Sequence, residues 1–161
     1  MGCGKSTVGK QLAEVSNRRF VDTDAWIEKR QGMTISEIFK IKGEAFFRDL
    51  ETEVLWELLK SDEKYVISVG GGTPLREENR KLLRKLGQVI YLKATPNTIY
   101  NRIKGDVTRP LLQTENPRAK ITEMLCDREE KYLAAACESV SVDGKDVSKI
   151  VDEIVEIIRE S

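Results

Sequence analysis

The chain of 161 residues is the size of one domain and is long enough to bury a single core. Its 27 Lys and Arg residues balance 27 Asp and Glu residues, so charge gives no reason to expect nucleic acid or an anionic membrane as a partner. Histidine is absent, which excludes Ser-His-Asp catalysis, Cys-His catalysis and histidine-ligated metals. The three cysteines are odd in number and widely spaced, so we expect reduced thiols in a cytoplasmic protein.

Short β-rich segments alternate with longer amphipathic segments, which predicts a three-layer α/β fold with a parallel sheet flanked by helices. Helices are predicted at 5–16, 24–31, 34–41, 44–60, 76–86, 96–104, 117–134 and 146–160. Strands are predicted at 19–22, 65–69, 88–93 and 139–142, each apolar enough to be covered on both faces. Because no repeat or linker interrupts this pattern, we expect a single domain over residues 1–161.

The first predicted helix follows the segment Gly-Cys-Gly-Lys-Ser-Thr, the final part of a G-x-x-x-x-G-K-[ST] phosphate-binding loop. Glycines let successive backbone N–H groups point at phosphate oxygens, and the helix directs its positive N-terminus to them. Lys5 adds a charge for the β- and γ-phosphates of ATP, and Ser6 offers a hydroxyl to Mg²⁺. The alternative is a glycine-rich turn before a helix. The predicted nucleotide-binding residues of this segment are Gly2, Cys3, Gly4, Lys5, Ser6 and Thr7.

The motif is incomplete at its beginning. Aligned on Gly4, its first glycine would lie two positions before Met1, and the strand that normally feeds the loop is also absent. We therefore expect either a start at an internal methionine or a truncated product.

Asp22 and Asp24 follow the strand residues 19–21 with a spacing of two. Ligands of open α/β sheets bind near the carboxyl ends of the strands. One carboxylate there can hold the water shell of Mg²⁺, and the other can orient a hydroxyl and take its proton. The alternative is a pair of solvated acids in a turn.

Two further segments carry candidate acceptor residues. Glu44, Arg48 and Glu51 fall on one helix face, so two carboxylates can hold the arginine, although an ordinary surface ion network has the same spacing. Gly70, Gly71 and Gly72 directly follow a strand, where they let the backbone approach a ligand closely, or simply make a tight turn. Residues 105–117, with two prolines and little periodicity, are interpreted as a lid, or as a surface connection.

Taken together, these segments resemble the shikimate kinase family. The matching pieces are GCGKST, FVDTDAWIE (20–28), ISEIF (35–39), GEAFFRDLE (43–51), VGGGTP (69–74), TRPLL (108–112) and DREEKY (127–132). The resemblance implies a fold like that of nucleoside-monophosphate kinases, with a P-loop, an acceptor-binding region and a lid. It also implies ATP-dependent phosphorylation of the shikimate 3-hydroxyl in aromatic amino-acid biosynthesis.

The resemblance implies roles for acceptor residues. Asp24 resembles the residue that binds and activates the hydroxyl, and Arg48 and Arg128 resemble the clamps for the shikimate carboxylate. Gly71, within the substrate-binding turn 70–72, resembles a backbone contact to the acceptor. We expect a monomer whose partners are shikimate and ATP.

It also implies roles on the nucleotide side. Arg109 resembles the lid arginine that reaches the phosphates, and with Asp24 and Lys5 it completes the predicted catalytic set. Arg102 resembles the family's adenine-stacking arginine, and Ser6 and Asp22 resemble its Mg²⁺ residues.

The resemblance leads to one structural expectation. In this fold the strand before the P-loop lies at the centre of the sheet, between the strands at 65–69 and 88–93. We expect the present sequence to leave a cleft there, and a functional protein that begins earlier. Alternative functions are a gluconate or nucleotide kinase on the same scaffold, and a catalytically dead P-loop protein that binds a ligand.

Overall fold

The computed structural model describes residues 3–105 and 114–160 of the chain. Its helices are α1 (Lys5–Val15), α2 (Thr23–Gln31), α3 (Ile35–Lys42), α4 (Glu44–Leu59), α5 (Glu77–Leu86), α6 (Pro96–Ile103), α7 (Pro117–Ala135) and α8 (Val147–Glu160). Its strands are β1 (Arg19–Asp22), β2 (Tyr65–Ser68), β3 (Ile90–Lys93) and β4 (Glu138–Ser141). The predicted α/β alternation is confirmed, and a short 3₁₀ helix at Thr73–Leu75 is additional.

The four strands form two parallel pairs. β1 pairs with β2 from Arg19↔Tyr65 to Asp22↔Ser68, and β3 pairs with β4 from Ile90↔Glu138 onward. β3 begins two residues later than predicted, although the backbone oxygen of Val89 already accepts the N–H of Cys137 at 2.8 Å. The parallel prediction is therefore confirmed within each pair.

β2 and β3 are not paired with each other, which confirms the expected separation of these two strands. Between them lies a groove of about 260 Å³. Apolar side chains line it, among them Val66 of β2, Leu92 of β3, Leu12 of α1 and Ile154 of α8. Lys5 also lines the groove, together with residues at the carboxyl end of β2.

Two apolar clusters hold the elements that carry the site. The first buries side chains of α1, α6, α7 and α8 around β4, including Val8, Ile121 and Ile150. The second buries Ile27 of α2 against Phe47 of α4 and the neighbouring helix α3. Since α2 and α4 share this core, their polar faces have a fixed relative position. No helix of the described residues is long and apolar enough to cross a membrane.

Candidate active site

The loop before α1 has the geometry of an anion site. Gly4 adopts the left-handed conformation, with φ 85° and ψ 23°, which a residue with a side chain rarely adopts. No side chain of the described residues caps α1, and its first turn contains no acidic residue. The free N–H groups and the helix dipole at Lys5 therefore favour a negatively charged ligand. Thr7 lies in the same turn and is exposed.

Arg102, the next-to-last residue of α6, reaches back to this loop. Its Nη1 donates to the backbone oxygen of Cys3 at 2.6 Å. The same nitrogen lies 3.2 Å from the position that a Cβ on Gly4 would occupy. The structure thus places the predicted nucleotide-binding arginine against the predicted phosphate loop.

Ser6 and Asp22, the predicted metal residues, are in direct contact. The Ser6 hydroxyl donates to Asp22 Oδ2 at 2.8 Å. The other oxygen, Oδ1, caps α2 by accepting the N–H groups of Asp24 and Ala25 at 3.0 and 3.2 Å. Asp22 is therefore both a helix cap and half of an oxygen pair of the kind that Mg²⁺ prefers. Among the described residues, no cluster of three or more acidic or cysteine side chains offers an all-protein metal site.

Asp24, in the first turn of α2, has the properties of a general base. Its Oδ1 is buried and accepts no hydrogen bond from the described part of the chain. Burial, and after it the nearby carboxylates of Glu51, Asp22 and Glu28, together raise the pKa of Asp24 to about 6, although Lys5 opposes the shift. A carboxylate with a pKa near the working pH, aimed into a site without a partner, is suited to accept a proton.

Arg48 is held by both carboxylates that share its helix face, as predicted. Its Nη1 donates to Glu51 Oε2 at 2.7 Å, and its Nη2 donates to Glu44 Oε1 at 3.1 Å. The Glu51 side chain is only 1% exposed and accepts a second hydrogen bond, from Thr73 Oγ1, at 2.6 Å. A buried carboxylate needs such partners, and the result is a guanidinium with a fixed orientation.

The glycine turn is needed for close approach rather than for unusual backbone angles. A Cβ on Gly70 would lie 2.8 Å from Asp24 Oδ1 and 3.0 Å from Glu51 Oε1. A Cβ on Gly72 would overlap the Arg48 guanidinium, although the φ of Gly72 is an ordinary −90°. The turn therefore brings the acid and the arginine against the same stretch of backbone.

Arg128 lies on α7, half-buried, and forms no ion pair or hydrogen bond with the rest of the described chain. The same helix reaches the glycine turn, because Tyr132 donates to the Gly71 oxygen at 2.7 Å. Sequence reasoning assigned no site role to Tyr132, and it gave Glu51 only the role of holding Arg48. The signal for Tyr132 was its position one turn after Arg128.

The structure thus brings Asp24, Arg48 and the turn 70–72 together, and separately joins Ser6 to Asp22 and Arg102 to the loop before α1. Gly2 and Arg109 lie outside the described residues, as does most of the predicted lid, 106–113.

Comparisons with known proteins identify the family of the chain. The family model for shikimate kinase matches residues 1–159. A shikimate kinase of Thioalkalivibrio sulfidiphilus is 43% identical over 159 residues, which are 99% of this chain and 83% of the relative. A shikimate kinase of Alkaliphilus oremlandii is 44% identical over 157 residues, 96% of this chain and 92% of the relative.

Solved structures give the same result. The shikimate kinase of Acinetobacter baumannii in complex with shikimate superposes with a TM-score of 0.92 at 37% identity, covering 99% of this chain and 89% of the other. A gluconokinase of Sinorhizobium meliloti, at 16% identity and a TM-score of 0.55, shares the fold alone. The family model and these relatives show that the chain belongs to the shikimate kinase family.

Proposed function

We propose that this protein transfers the γ-phosphoryl group of ATP to the 3-hydroxyl of shikimate, as a step in aromatic amino-acid biosynthesis. The observation that carries the proposal is the convergence of Asp24 and Arg48 on the turn 70–72. One group there can take a proton from a hydroxyl, and the other can hold a carboxylate. Shikimate combines both functional groups in a small molecule.

In the proposed reaction, Asp24 Oδ1 accepts the proton of the acceptor hydroxyl. The hydroxyl oxygen then forms a bond to the γ-phosphorus, and the bond from that phosphorus to the β-γ bridging oxygen breaks to release ADP. Asp24 Oδ1 is buried and accepts no hydrogen bond from the described residues, and the substrate hydroxyl would supply the missing donor.

Arg48 and Arg128 are proposed to bind the shikimate carboxylate. Arginine suits this role because its planar fork can pair with both carboxylate oxygens. Glu44 and Glu51 hold Arg48 in place, so little side-chain entropy remains to be lost on binding. The positive charge of Arg48 is partly neutralised by Glu44 and Glu51. Arg128 has no partner among the described residues, so its full charge is available to the shikimate carboxylate.

The nucleotide is proposed to bind at the loop before α1. Backbone N–H groups of residues 2–7 would face its phosphates, and Lys5 would neutralise charge on the transferring group. Arg109 is proposed to act from the lid, and Arg102 to contact the adenine. Ser6 and Asp22 would hold Mg²⁺, which when bound neutralises phosphate charge. The contact of these two oxygens, at 2.8 Å, fits a hard cation that completes its shell with water and phosphate.

We also propose a monomer that works in the cytoplasm. The balanced charge of 27 basic and 27 acidic residues supports small-molecule rather than polyanionic partners.

A coupled assay of ADP release with shikimate, gluconate and AMP as acceptors tests the proposal. We expect turnover with shikimate alone, dependent on Mg²⁺. Faster turnover with gluconate or AMP would refute the assigned acceptor. ATP binding without phosphoryl transfer to any acceptor would instead support the inactive, ligand-binding alternative.

A further inference from the structure

The hydroxyl of Tyr132 joins two parts of the site that come from distant stretches of the chain. Tyr132 lies on α7 one turn after Arg128, so both side chains project from the same helix face. Its hydroxyl donates to the Gly71 oxygen at 2.7 Å, across 61 residues of sequence. The helix that carries Arg128 is thereby tied to the glycine turn.

The residues on either side of Gly71 lie against other parts of the acceptor site. Gly70 on one side lies against Asp24 and Glu51, and Gly72 on the other side lies against the Arg48 guanidinium. The hydrogen bond of Tyr132 therefore relates the position of α7 to that of the acid and the arginine.

The ring of Tyr132 is held independently of its hydroxyl. It packs on Tyr91 of β3 with the ring centroids 5.2 Å apart and the planes at 52°. Next to this pair, Lys93 of β3 forms a 2.6 Å ion pair with Glu129 of α7. Since β3 and β2 are not paired, Tyr132 bridges the second strand pair and the turn that follows the first.

We propose that Tyr132 is a positioning residue for the acceptor site: its hydroxyl sets the separation between Arg128 and the turn 70–72, so that Arg128 and Arg48 meet one carboxylate. The inference rests on the proposed function, in which both arginines bind the shikimate carboxylate. Tyr132 itself touches neither reacting atom.

The test compares Tyr132→Phe with the matched control Tyr91→Phe. Both variants keep the aromatic pair, but only the first removes the hydrogen bond to Gly71. We expect Tyr132→Phe to raise the KM for shikimate about three- to tenfold, the effect of one hydrogen bond. The kcat and the KM for ATP should stay at the parental values, and so should all constants of Tyr91→Phe. Equal effects of the two variants, or an equal rise in both KM values, would overturn the proposal.

A double-mutant cycle with Arg128→Ala separates positioning from general packing. In that background Tyr132→Phe should have no further effect on the KM for shikimate, because there is no arginine left to place. The same fold-change in both backgrounds would overturn the proposal. If Arg128→Ala leaves that KM unchanged, the role proposed for Arg128 fails and the positioning role fails with it. If Arg128→Ala raises it and Tyr132→Phe does not, only the positioning role fails.

Discussion

Replacing Asp24 by asparagine is expected to stabilise the folded protein at pH 8 while removing its kinase activity. Burial among other carboxylates raises the pKa of Asp24 from 3.8 to about 6. Between about pH 4 and pH 6 the folded protein therefore binds more protons than the unfolded chain, and its stability falls as the pH rises through this window. At pH 8 the charged Asp24 lowers the free energy of unfolding by about 3 kcal/mol, because its pKa is raised by about two and each pKa unit corresponds to about 1.36 kcal/mol.

Asparagine removes this cost because it is nearly isosteric and carries no charge. The substitution also removes the repulsion between Asp24 and the nearby carboxylate of Glu51. We expect Asp24→Asn to raise the free energy of unfolding at pH 8 by up to about 3 kcal/mol, and to match the parent at pH 4, where Asp24 is already protonated. Turnover should fall about 10²–10⁴-fold, since the amide cannot accept the hydroxyl proton.

Urea unfolding at pH 4 and pH 8, together with the coupled assay, measures both effects. The control is Asp62→Asn, an exposed aspartate outside the site, which should change neither stability nor turnover. A variant less stable than the parent at pH 8, or equally stabilised at both pH values, would refute the electrostatic reasoning. Turnover within threefold of the parent would remove Asp24 from its catalytic role.

Four other substitutions test separate parts of the site. Arg48→Ala and Arg128→Ala should each weaken shikimate binding by roughly 1.5–3 kcal/mol, the value of a charge-assisted hydrogen bond. Calorimetry with both ligands checks this, and equal losses for ATP would indicate misfolding instead. Gly72→Ala should displace Arg48 and raise the KM for shikimate, because a Cβ at this position would overlap the guanidinium. Asp22→Asn should keep the α2 cap, since asparagine caps as well as aspartate. It should raise the Mg²⁺ concentration needed for half-maximal turnover, and an unchanged Mg²⁺ titration would contradict the metal role.

The interpretation of local structure from the sequence was accurate for reasons that act over a few residues. Apolar residues recur in α8 with helical spacing, and of these Ile150, Val151 and Ile154 are buried, whereas Ile158 near the end of the helix is exposed. The two ion pairs of Arg48, with Glu44 and Glu51, lie within one helix. They could be predicted from the spacing of the three residues alone, because side chains three or four positions apart are neighbours on a helix. The functional motifs were equally readable, because a phosphate loop is built from consecutive residues.

Other features of the site depend on packing between distant segments. The sequence identified Asp24 as a candidate base, but only the shared core of α2 and α4 brings Glu51 near it and helps to raise its pKa. Gly70 and Gly72 indicated a turn. The sequence did not show that Gly70 makes room for two carboxylates and Gly72 for a guanidinium, because these groups belong to other helices. The bond from Tyr132 to Gly71 spans 61 residues and left no local signal beyond one helical turn from Arg128. Thus the sequence by itself determined the elements, the phosphate loop and the candidate residues, since these depend on near neighbours. Only the tertiary structure decided which charges face one another and how deeply they are buried, because both depend on how the elements pack.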